Sequence, residues 1–308
     1  MSELGQTIIT IPVLIILGII TLMKPYMGLI FTVASQPIAD VLPQVPLLSS
    51  IVPIFGALTI FGFLLQSRSQ HFRYAFRFSS FHLIALLLLL WVFISHPAAA
   101  WSSGGRNWVF TFLQLFILAW FTGFLLTSPQ KHHTLMWLFS LTAFISAVYA
   151  IIQGGNLSEI DPNIRAAGFS QGANTATRYF VIAFTFFTYL FIATKTRILK
   201  VFLFAGIVAT FIGVFYTASR SGIMLLAIAI ILLVLLQSRV KYRLEVGIIS
   251  IVGLAFLLSF SENILRFVAT IFPSISQGTD TVGLRYALWK AGFQMWLDNP
   301  IAGIGIGM

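Results

Sequence analysis

Charged residues are scarce in this sequence, and cysteine is absent. Only 8% of the 308 residues are charged, whereas an ordinary soluble domain carries about 25%. A soluble fold needs a polar exterior, so this shortage excludes a soluble globular enzyme. The hydrophobic content of 58% also excludes a disordered chain. The absence of cysteine excludes disulfides and cysteine-based metal sites. An integral membrane protein remains.

Acidic residues are the rarer charge, with eight Asp and Glu against eighteen Lys and Arg, which gives a formal net charge of +10. In a soluble protein this balance would suggest a nucleic-acid partner. Membrane proteins, however, concentrate Lys and Arg in cytoplasmic loops to fix their orientation. We therefore expect membrane lipid as a partner and no nucleic acid. No His residue has metal-ligand spacing to another, so neither a metal nor a cofactor is expected.

Long apolar runs fill most of the first 260 residues. A helix needs roughly 17–25 apolar residues to cross the hydrocarbon, and barrel strands would instead alternate apolar and polar residues. The sequence predicts an all-α fold, a polytopic transmembrane helical bundle over residues 1–260 with about nine spans. The predicted spans are Ile8–Met23, Leu47–Leu65, Phe81–Ile94, Trp108–Leu126, Leu135–Ile152, Tyr179–Ala193, Val201–Tyr216, Ile223–Leu236 and Val246–Phe260.

One moderately apolar segment, Pro25–Pro46, does not fit the pattern of spans. It is interrupted by Pro37, Pro43 and Pro46, and proline removes a backbone donor from a helix interior. We therefore predict a partly embedded outer loop there.

The basic residues predict the orientation of the bundle. Ten of the eighteen cations lie in loops that alternate spans place on one side, and the positive-inside rule makes that side cytoplasmic. The N-terminus is then cytoplasmic as well. The rule does not explain the eight cations on the opposite face, so we expect a function for them. They are Lys24, Arg106, Arg165, Arg178, Arg220, Arg266, Arg285 and Lys290.

Arg220 stands between two apolar runs, in the sequence Thr-Ala-Ser-Arg-Ser-Gly at Thr217–Gly222. Almost no loop is present there, so Arg220 lies near the outer membrane boundary, where a charge needs water, headgroups or an anion. A guanidinium binds phosphate oxygens in pairs, and Ser219 and Ser221 supply hydroxyl donors. An arginine that anchors the helix at the interface explains the same residue about equally well.

A second polar motif, residues 163–174, precedes the sixth predicted span. It combines Arg165 with two glycines and Asn174. Asn174 or Thr175 is expected to cap the helix that follows, and a helix N-terminus attracts anions. Taken alone, an ordinary polar loop is the favoured interpretation.

A third motif, residues 283–300, predicts an amphipathic outer helix. Trp289, Phe293 and Trp296 share one face with Arg285 at helical spacing, which suits a helix that lies at the membrane surface. The sequence Asp-Asn-Pro at Asp298–Pro300 ends this helix.

In their order along the chain, the three motifs resemble those of the O-antigen ligase family, which includes related polysaccharide polymerases and protein O-oligosaccharyltransferases. They read Arg-x-x-Gly-Phe…Asn from Arg165 to Asn174, Thr-x-Ser-Arg-Ser-Gly at Thr217–Gly222, and Arg-x-x-x-Trp…Asp-Asn-Pro-x-x-Gly-x-Gly from Arg285 to Gly305. The motifs cover about residues 163–308, and the preceding spans agree only in hydropathy.

The resemblance implies a multi-pass glycosyltransferase of the bacterial inner membrane with its active site on the periplasmic face. The donor would be a glycan on undecaprenyl diphosphate, and the acceptor a hydroxyl of lipid A-core or of a growing glycan. Arg220, Arg285 and Arg165 would bind the diphosphate, with Ser219 and Ser221 as auxiliary donors. Fixed cations would stabilise the charge on the leaving diphosphate, and we expect transfer without a metal.

In the family, a large periplasmic loop with a His proposed as the acceptor-activating base follows the Gly-x-Gly element. We interpret residues 261–308 as a periplasmic segment at the start of this loop. The sequence ends at Met308 and none of its five His matches, so no catalytic residue is assigned. We expect either a truncated reading frame or a member without this half, which binds the donor without transferring it.

Two alternatives to a ligase stay open. A polysaccharide polymerase uses the same donor chemistry, and the sequence does not separate it from a ligase. A transporter or flippase of lipid-linked glycan is less favoured, because the charges cluster at the outer edge and the spans show no inverted repeat.

Overall fold

The structure is a computed structural model that describes a large part of the chain. The described residues are 12, 15–42, 52–67, 80–95, 103–160, 165–170, 172–236 and 281–300. In these ranges the chain consists of helices with short connections and contains no strand. The predicted all-α class is therefore confirmed for the described residues.

The helices follow one another with short connections. Residues 15–23 are helical, and the remaining described helices are numbered from there. They are α1 (Pro25–Ala34), the 3-10 helix η1 (Gln36–Val41), α2 (Val52–Ser67), α3 (Ser80–Ser95), α4 (Ser103–Leu125), α5 (Pro129–Ile160), α6 (Ala173–Ala193), α7 (Arg197–Tyr216), α8 (Arg220–Leu236) and α9 (Thr281–Asp298).

Three of the described helices are long and apolar enough to cross a membrane. They are Pro129–Gly154 within α5, the whole of α6 and the whole of α7, and they coincide with the fifth, sixth and seventh predicted spans. The second, third, fourth and eighth predicted spans coincide with shorter apolar helices. The ninth, Val246–Phe260, lies outside the described residues. Membrane-type helices are thus present, and the total of nine spans stays a prediction.

The loop predicted over Pro25–Pro46 is wrong for residues 25–41, which form α1 and η1. Pro25 occupies the first turn of α1 and Pro37 the first turn of η1. A backbone N–H in the first turn has no acceptor inside the helix, so proline, which lacks this group, removes no helical hydrogen bond there. α1 packs against α5, and the Thr142 hydroxyl donates to the carbonyl of Ala34 at 2.6 Å. The prolines therefore start helices here instead of preventing them.

The described helices belong to two compact units. The first contains residues up to Leu65, with α1 and η1, together with α5 to α8. The second contains α3, α4 and α9, and within it the ring of His82 on α3 stacks on Phe124 of α4 at a centroid distance of 5.8 Å. The predicted domain boundary at residue 260 lies outside the described residues and stays a prediction.

The core of the first unit lies where α5, α6 and α7 meet. Phe180, Phe184 and Phe187 share one face of α6 at helical spacing and are almost completely buried. Glycines on α7 make room for these rings. A Cβ added at Gly206 would lie 2.6 Å from the Phe187 ring, and one at Gly213 would lie 3.1 Å from the Phe180 ring. This close packing holds α6 against α7, and the first two polar motifs adjoin the start of α6 and the end of α7.

Candidate functional site

Two polar connections lie side by side at one end of the first unit. One joins α5 to α6 and includes residues 165–170, and the other is the turn Thr217–Ser219 between α7 and α8. The N–H group of Ala166 donates to the carbonyl of Tyr216 at 3.2 Å. The structure therefore brings together two motifs that lie about fifty residues apart in the sequence.

Arg165 is held by the turn after α7 and by the start of α6. Its Nε donates to the carbonyl of Thr217 at 2.9 Å, and its Nη2 donates to Oδ1 of Asn174 at 2.9 Å. Thr217 follows the last residue of α7, where carbonyl groups lack helical partners and the helix dipole is negative. The guanidinium thus caps α7 while its side chain stays exposed.

Ser219 connects the start of α8 to the same asparagine. Its hydroxyl donates to Oδ1 of Asn174 at 3.0 Å and accepts from the N–H of Gly222 at 3.3 Å. The second bond is that of a helix N-cap, because Gly222 is the third residue of α8. Since the one proton of Ser219 goes to Asn174, Ser221 is the donor across the 3.2 Å between the two hydroxyls. We call Arg165, Asn174, Thr217, Ser219 and Ser221 the Asn174 network.

The backbone conformation of the turn Thr217–Ser219 explains how so few residues join α7 to α8. Ala218 has a φ of +46°, in the left-handed region, which commonly ends a helix. Gly222 then lets α8 approach α6, because a Cβ at this position would overlap the buried side chain of Thr177. These two positions bring the start of α8 against the start of α6.

The connection between α5 and α6 is built onto α5. Gly168 has a φ of +60°, which favours glycine. The N–H of Phe169 donates to Ser146 Oγ at 3.0 Å, and that of Ala167 donates to Gln153 Oε1 at 3.3 Å. The Phe169 ring stacks on Tyr149 with centroids 4.1 Å apart. Arg165 thus extends from a segment with a defined conformation.

The structure brings together Arg165, Ser219 and Ser221 from the predicted set. Arg220 is the first residue of α8, directly after Ser219, and Arg285 lies on α9 in the second unit. The side chains of these two arginines lie outside the described part of the structure. Diphosphate binding by the five residues stays a prediction.

The expected capping role of Asn174 or Thr175 is wrong. The N-cap of α6 is Gly172, and no side chain caps this helix. Asn174 is instead the second residue of α6, and its carboxamide binds Arg165 and Ser219. Its presence with Arg165 in one polar motif was the only signal of this role, since Ser219 belongs to a distant segment.

The Asn174 network suits an anion. Its one charged side chain is a guanidinium, and the N-termini of α6 and α8, which carry positive partial charge, lie together through the bond between Asn174 and Ser219. Arg, Ser and Asn do not exchange protons near neutral pH. The arrangement can therefore bind and stabilise negative charge, whereas it supplies no acid or base.

A helix covers most of residues 283–300 as α9, which ends at Asp298 as expected, whereas its amphipathic character stays a prediction. Several of its large apolar side chains, including Trp289, Phe293 and Trp296, are exposed. Its location at a membrane surface stays a prediction. Within the described ranges no three His, Asp or Glu residues are grouped as metal ligands would be, and metal-independent transfer likewise stays a prediction.

Comparison with known proteins gives one match. Residues 205–308 match the family model described as O-antigen ligase. This part contains most of α7, the turn Thr217–Ser219, α8 and α9, so the second and third motifs both fall within it. Arg165 and Asn174 precede it. The match confirms the resemblance found in the sequence. No curated protein and no solved structure matches the chain significantly.

Proposed function

We propose that the chain, whose residues 205–308 match the O-antigen ligase family model, takes part in glycan transfer from a lipid-linked diphosphate in the bacterial inner membrane. The donor is a glycan on undecaprenyl diphosphate, and the acceptor is a hydroxyl of lipid A-core. The observation that carries the proposal is the position of Arg165, which hydrogen bonds hold beside Ser219 and the first residue of α8, Arg220.

The chemistry of transfer explains why arginines suit this position. The acceptor oxygen attacks the anomeric carbon of the glycan, and the bond from that carbon to the phosphate oxygen breaks. The diphosphate leaves with an additional negative charge, which fixed guanidinium groups stabilise more strongly in the transition state than in the ground state. The proton of the acceptor hydroxyl goes to a base outside the Asn174 network, because the side chains of the network do not titrate near neutral pH.

The arginines have separate roles in this proposal. Arg220 and Arg285 bind the diphosphate directly, and Arg165 assists from the network that fixes it. Ser221 is an auxiliary donor when its hydroxyl turns from Ser219 to a phosphate oxygen, and Ser219 acts mainly through Asn174, to which its proton is committed. Because guanidinium groups supply the positive charge that a metal ion would otherwise supply, transfer is metal-independent.

The proposal assigns the network to the periplasmic face. The other ends of α5, α6 and α7 carry several basic residues, among them Lys131, Lys195 and Lys200, and cytoplasmic loops concentrate such residues. The N-terminus is then cytoplasmic. A lipid-linked donor reaches the network from the outer leaflet.

The decisive experiment measures glycan transfer by membranes that contain the Arg220→Ala protein. The membranes receive labelled undecaprenyl-diphosphate glycan and lipid A-core. We expect a loss of about 10²–10³-fold in rate, the usual effect of removing one group that stabilises transition-state charge.

The matched control is Arg197→Ala, at the start of α7 at the opposite end, which should transfer normally. Undiminished transfer by the Arg220→Ala protein would overturn the proposal. The product also tests the reaction type, because one addition to lipid A-core indicates ligation and a ladder of repeat units indicates polymerisation.

A further inference from the structure

The carboxamide of Asn174 is fixed in one orientation. The atom that faces Nη2 of Arg165 at 2.9 Å must be the oxygen, because a guanidinium donates hydrogen bonds and never accepts them. The same oxygen accepts from Ser219 Oγ at 3.0 Å. Both lone pairs of Oδ1 are therefore used, and the amide nitrogen must point away from Arg165 and Ser219.

The amide nitrogen of Asn174 presents two N–H donors on the exposed side of the network. Among the residues that the structure describes, none accepts a hydrogen bond from it, and the side chain is exposed. Asn174 is the second residue of α6, so the main-chain N–H groups of Ala173 and Asn174 also lack helical acceptors, whereas that of Thr175 donates to the carbonyl of Gly172 at 3.0 Å. The start of α6 thus presents several N–H donors, whereas the carboxamide oxygen of Asn174 already accepts two hydrogen bonds.

The neighbours of Asn174 show which kind of ligand would satisfy these donors. Ser219, 3.0 Å away, directly precedes Arg220, and Arg165 lies on the other side of the carboxamide oxygen. The carboxamide therefore lies next to the guanidinium of Arg165 and next to the residue that precedes Arg220. An anion with several oxygens can accept from a guanidinium and from an amide together.

We propose that Asn174 is a diphosphate-binding residue whose Nδ2 donates to a non-bridging phosphate oxygen, while its Oδ1 positions Arg165 and Ser219. This inference rests on the proposed function and adds to it a residue that carries no charge. The carboxamide separates two duties by atom, since the oxygen organises the protein and the nitrogen binds the ligand.

The variant Asn174→Asp separates these duties. A carboxylate keeps an oxygen that accepts from Arg165 and Ser219, and it adds an ion pair with the guanidinium, so the melting temperature should stay the same or rise. The second carboxylate oxygen replaces the N–H donors. We expect undecaprenyl diphosphate in detergent micelles to bind the purified Asn174→Asp protein about 10- to 100-fold more weakly, the usual effect of losing a hydrogen bond to a charged group.

Two controls make the measurement specific. Thr175→Asp adds the same charge one residue further along α6, and it should weaken binding far less than Asn174→Asp. Inorganic diphosphate, measured in parallel, should show the same ranking of variants, because the proposed contact is to the phosphate oxygens and not to the lipid. A ranking that appears only with the lipid overturns the contact.

The remaining outcomes separate this inference from the proposed function. If Arg220→Ala weakens binding while Asn174→Asp binds like the unmodified protein, the assignment of Asn174 is wrong and the proposed function stands. If Thr175→Asp and Asn174→Asp weaken binding equally, charge alone explains the effect and the assignment is also wrong. If neither Arg220→Ala nor Asn174→Asp weakens binding, the proposed function itself fails.

Discussion

The two ends of helices α5 to α7 use basic residues in different ways. At the end that carries the Asn174 network, Arg165 donates to Thr217 and Asn174, from segments 52 and 9 residues away. At the opposite end, Lys131 and Lys200 lie over the rings of Tyr26 and Phe191, with Nζ 4.9 and 5.0 Å from the centroids. The guanidinium of Arg165 donates directed hydrogen bonds to two segments, whereas the two lysines contact the faces of aromatic rings.

The connections at the two ends differ in the same sense. At the opposite end, Thr194 N–H donates to the carbonyl of Leu190 at 2.9 Å and Lys200 N–H to that of Thr196 at 3.1 Å, bonds between residues four positions apart. At the network end, the bond from Ser219 to Asn174 spans 45 residues. The kind of contact that a cation makes, more than its presence, therefore distinguishes the candidate site from the opposite end.

The largest effect on this comparison is expected from Gly222→Ala. The new methyl group overlaps Thr177, a buried β-branched residue that cannot move aside, so the start of α8 must shift away from α6. Overpacking of this kind destabilises by about 1–3 kcal/mol, and we expect the upper part of that range, measured as the melting temperature in detergent. Gly172→Ala is the control, because its Cβ would meet no atom within 4 Å. Equal stability of both variants would contradict the tight approach of the two helices.

Arg165→Ala should have the next largest effect. The change removes two hydrogen bonds from a charged donor, one of them to the carbonyl end of α7, and leaves Thr217 and Asn174 without these partners. We expect a loss of about 2 kcal/mol in the free energy of unfolding. Arg165→Lys serves as the matched control, since it keeps the charge but cannot form both bonds. If the lysine variant were fully stable, charge alone would account for Arg165.

Ser219→Ala should destabilise less. The change removes the N-cap of α8, and such a substitution destabilises by about 1 kcal/mol. Asn174 keeps its bond from Arg165, so the network loses one of its connections and not all. Thermal unfolding of Ser219→Ala beside Ser219→Thr gives the measurement, because threonine retains the capping oxygen. A threonine variant as unstable as the alanine variant would show that the cap is not the cause.

Lys200→Ala should have the smallest effect. Lys200 and Phe191 are both half-buried, and a cation over a ring that solvent still reaches contributes about 1 kcal/mol. No long-range hydrogen bond of the Lys200 side chain is present in the described part of the chain. We expect a small fall in melting temperature and unchanged diphosphate binding. Weakened binding in this variant would remove the distinction between the two ends.

Much of the fold followed from local pattern. The runs that became α6 and α7 are long and apolar, and Phe180, Phe184 and Phe187 recur at helical spacing, so element type was readable there. The segment Pro25–Pro46 was not readable in this way. The effect of a proline depends on whether it stands in the first turn or the interior of a helix, and that requires knowledge of where the helix begins.

The candidate site was only partly predictable, because its contacts are long-range. Capping preference indicated that Asn174 would cap its own helix, but the structure gives its oxygen to Arg165 and Ser219 instead. No spacing rule places a residue next to another 45 positions away. The motif order placed Arg165 and Ser219 in one site through family resemblance, and the hydrogen bonds supply the physical link.

The double role of Ser219 determines what a mutational scan of this chain would report. Variants at Ser219 lose the cap of α8 and the hydrogen bond to Asn174 together. Protein abundance and activity would therefore both fall at this position, and the scan would not separate a folding defect from a binding defect. Ser221 and Asn174 are better positions for separating abundance from activity. Ser221 lies on the exposed side of the network, and Asn174 accepts a nearly isosteric replacement that preserves its packing.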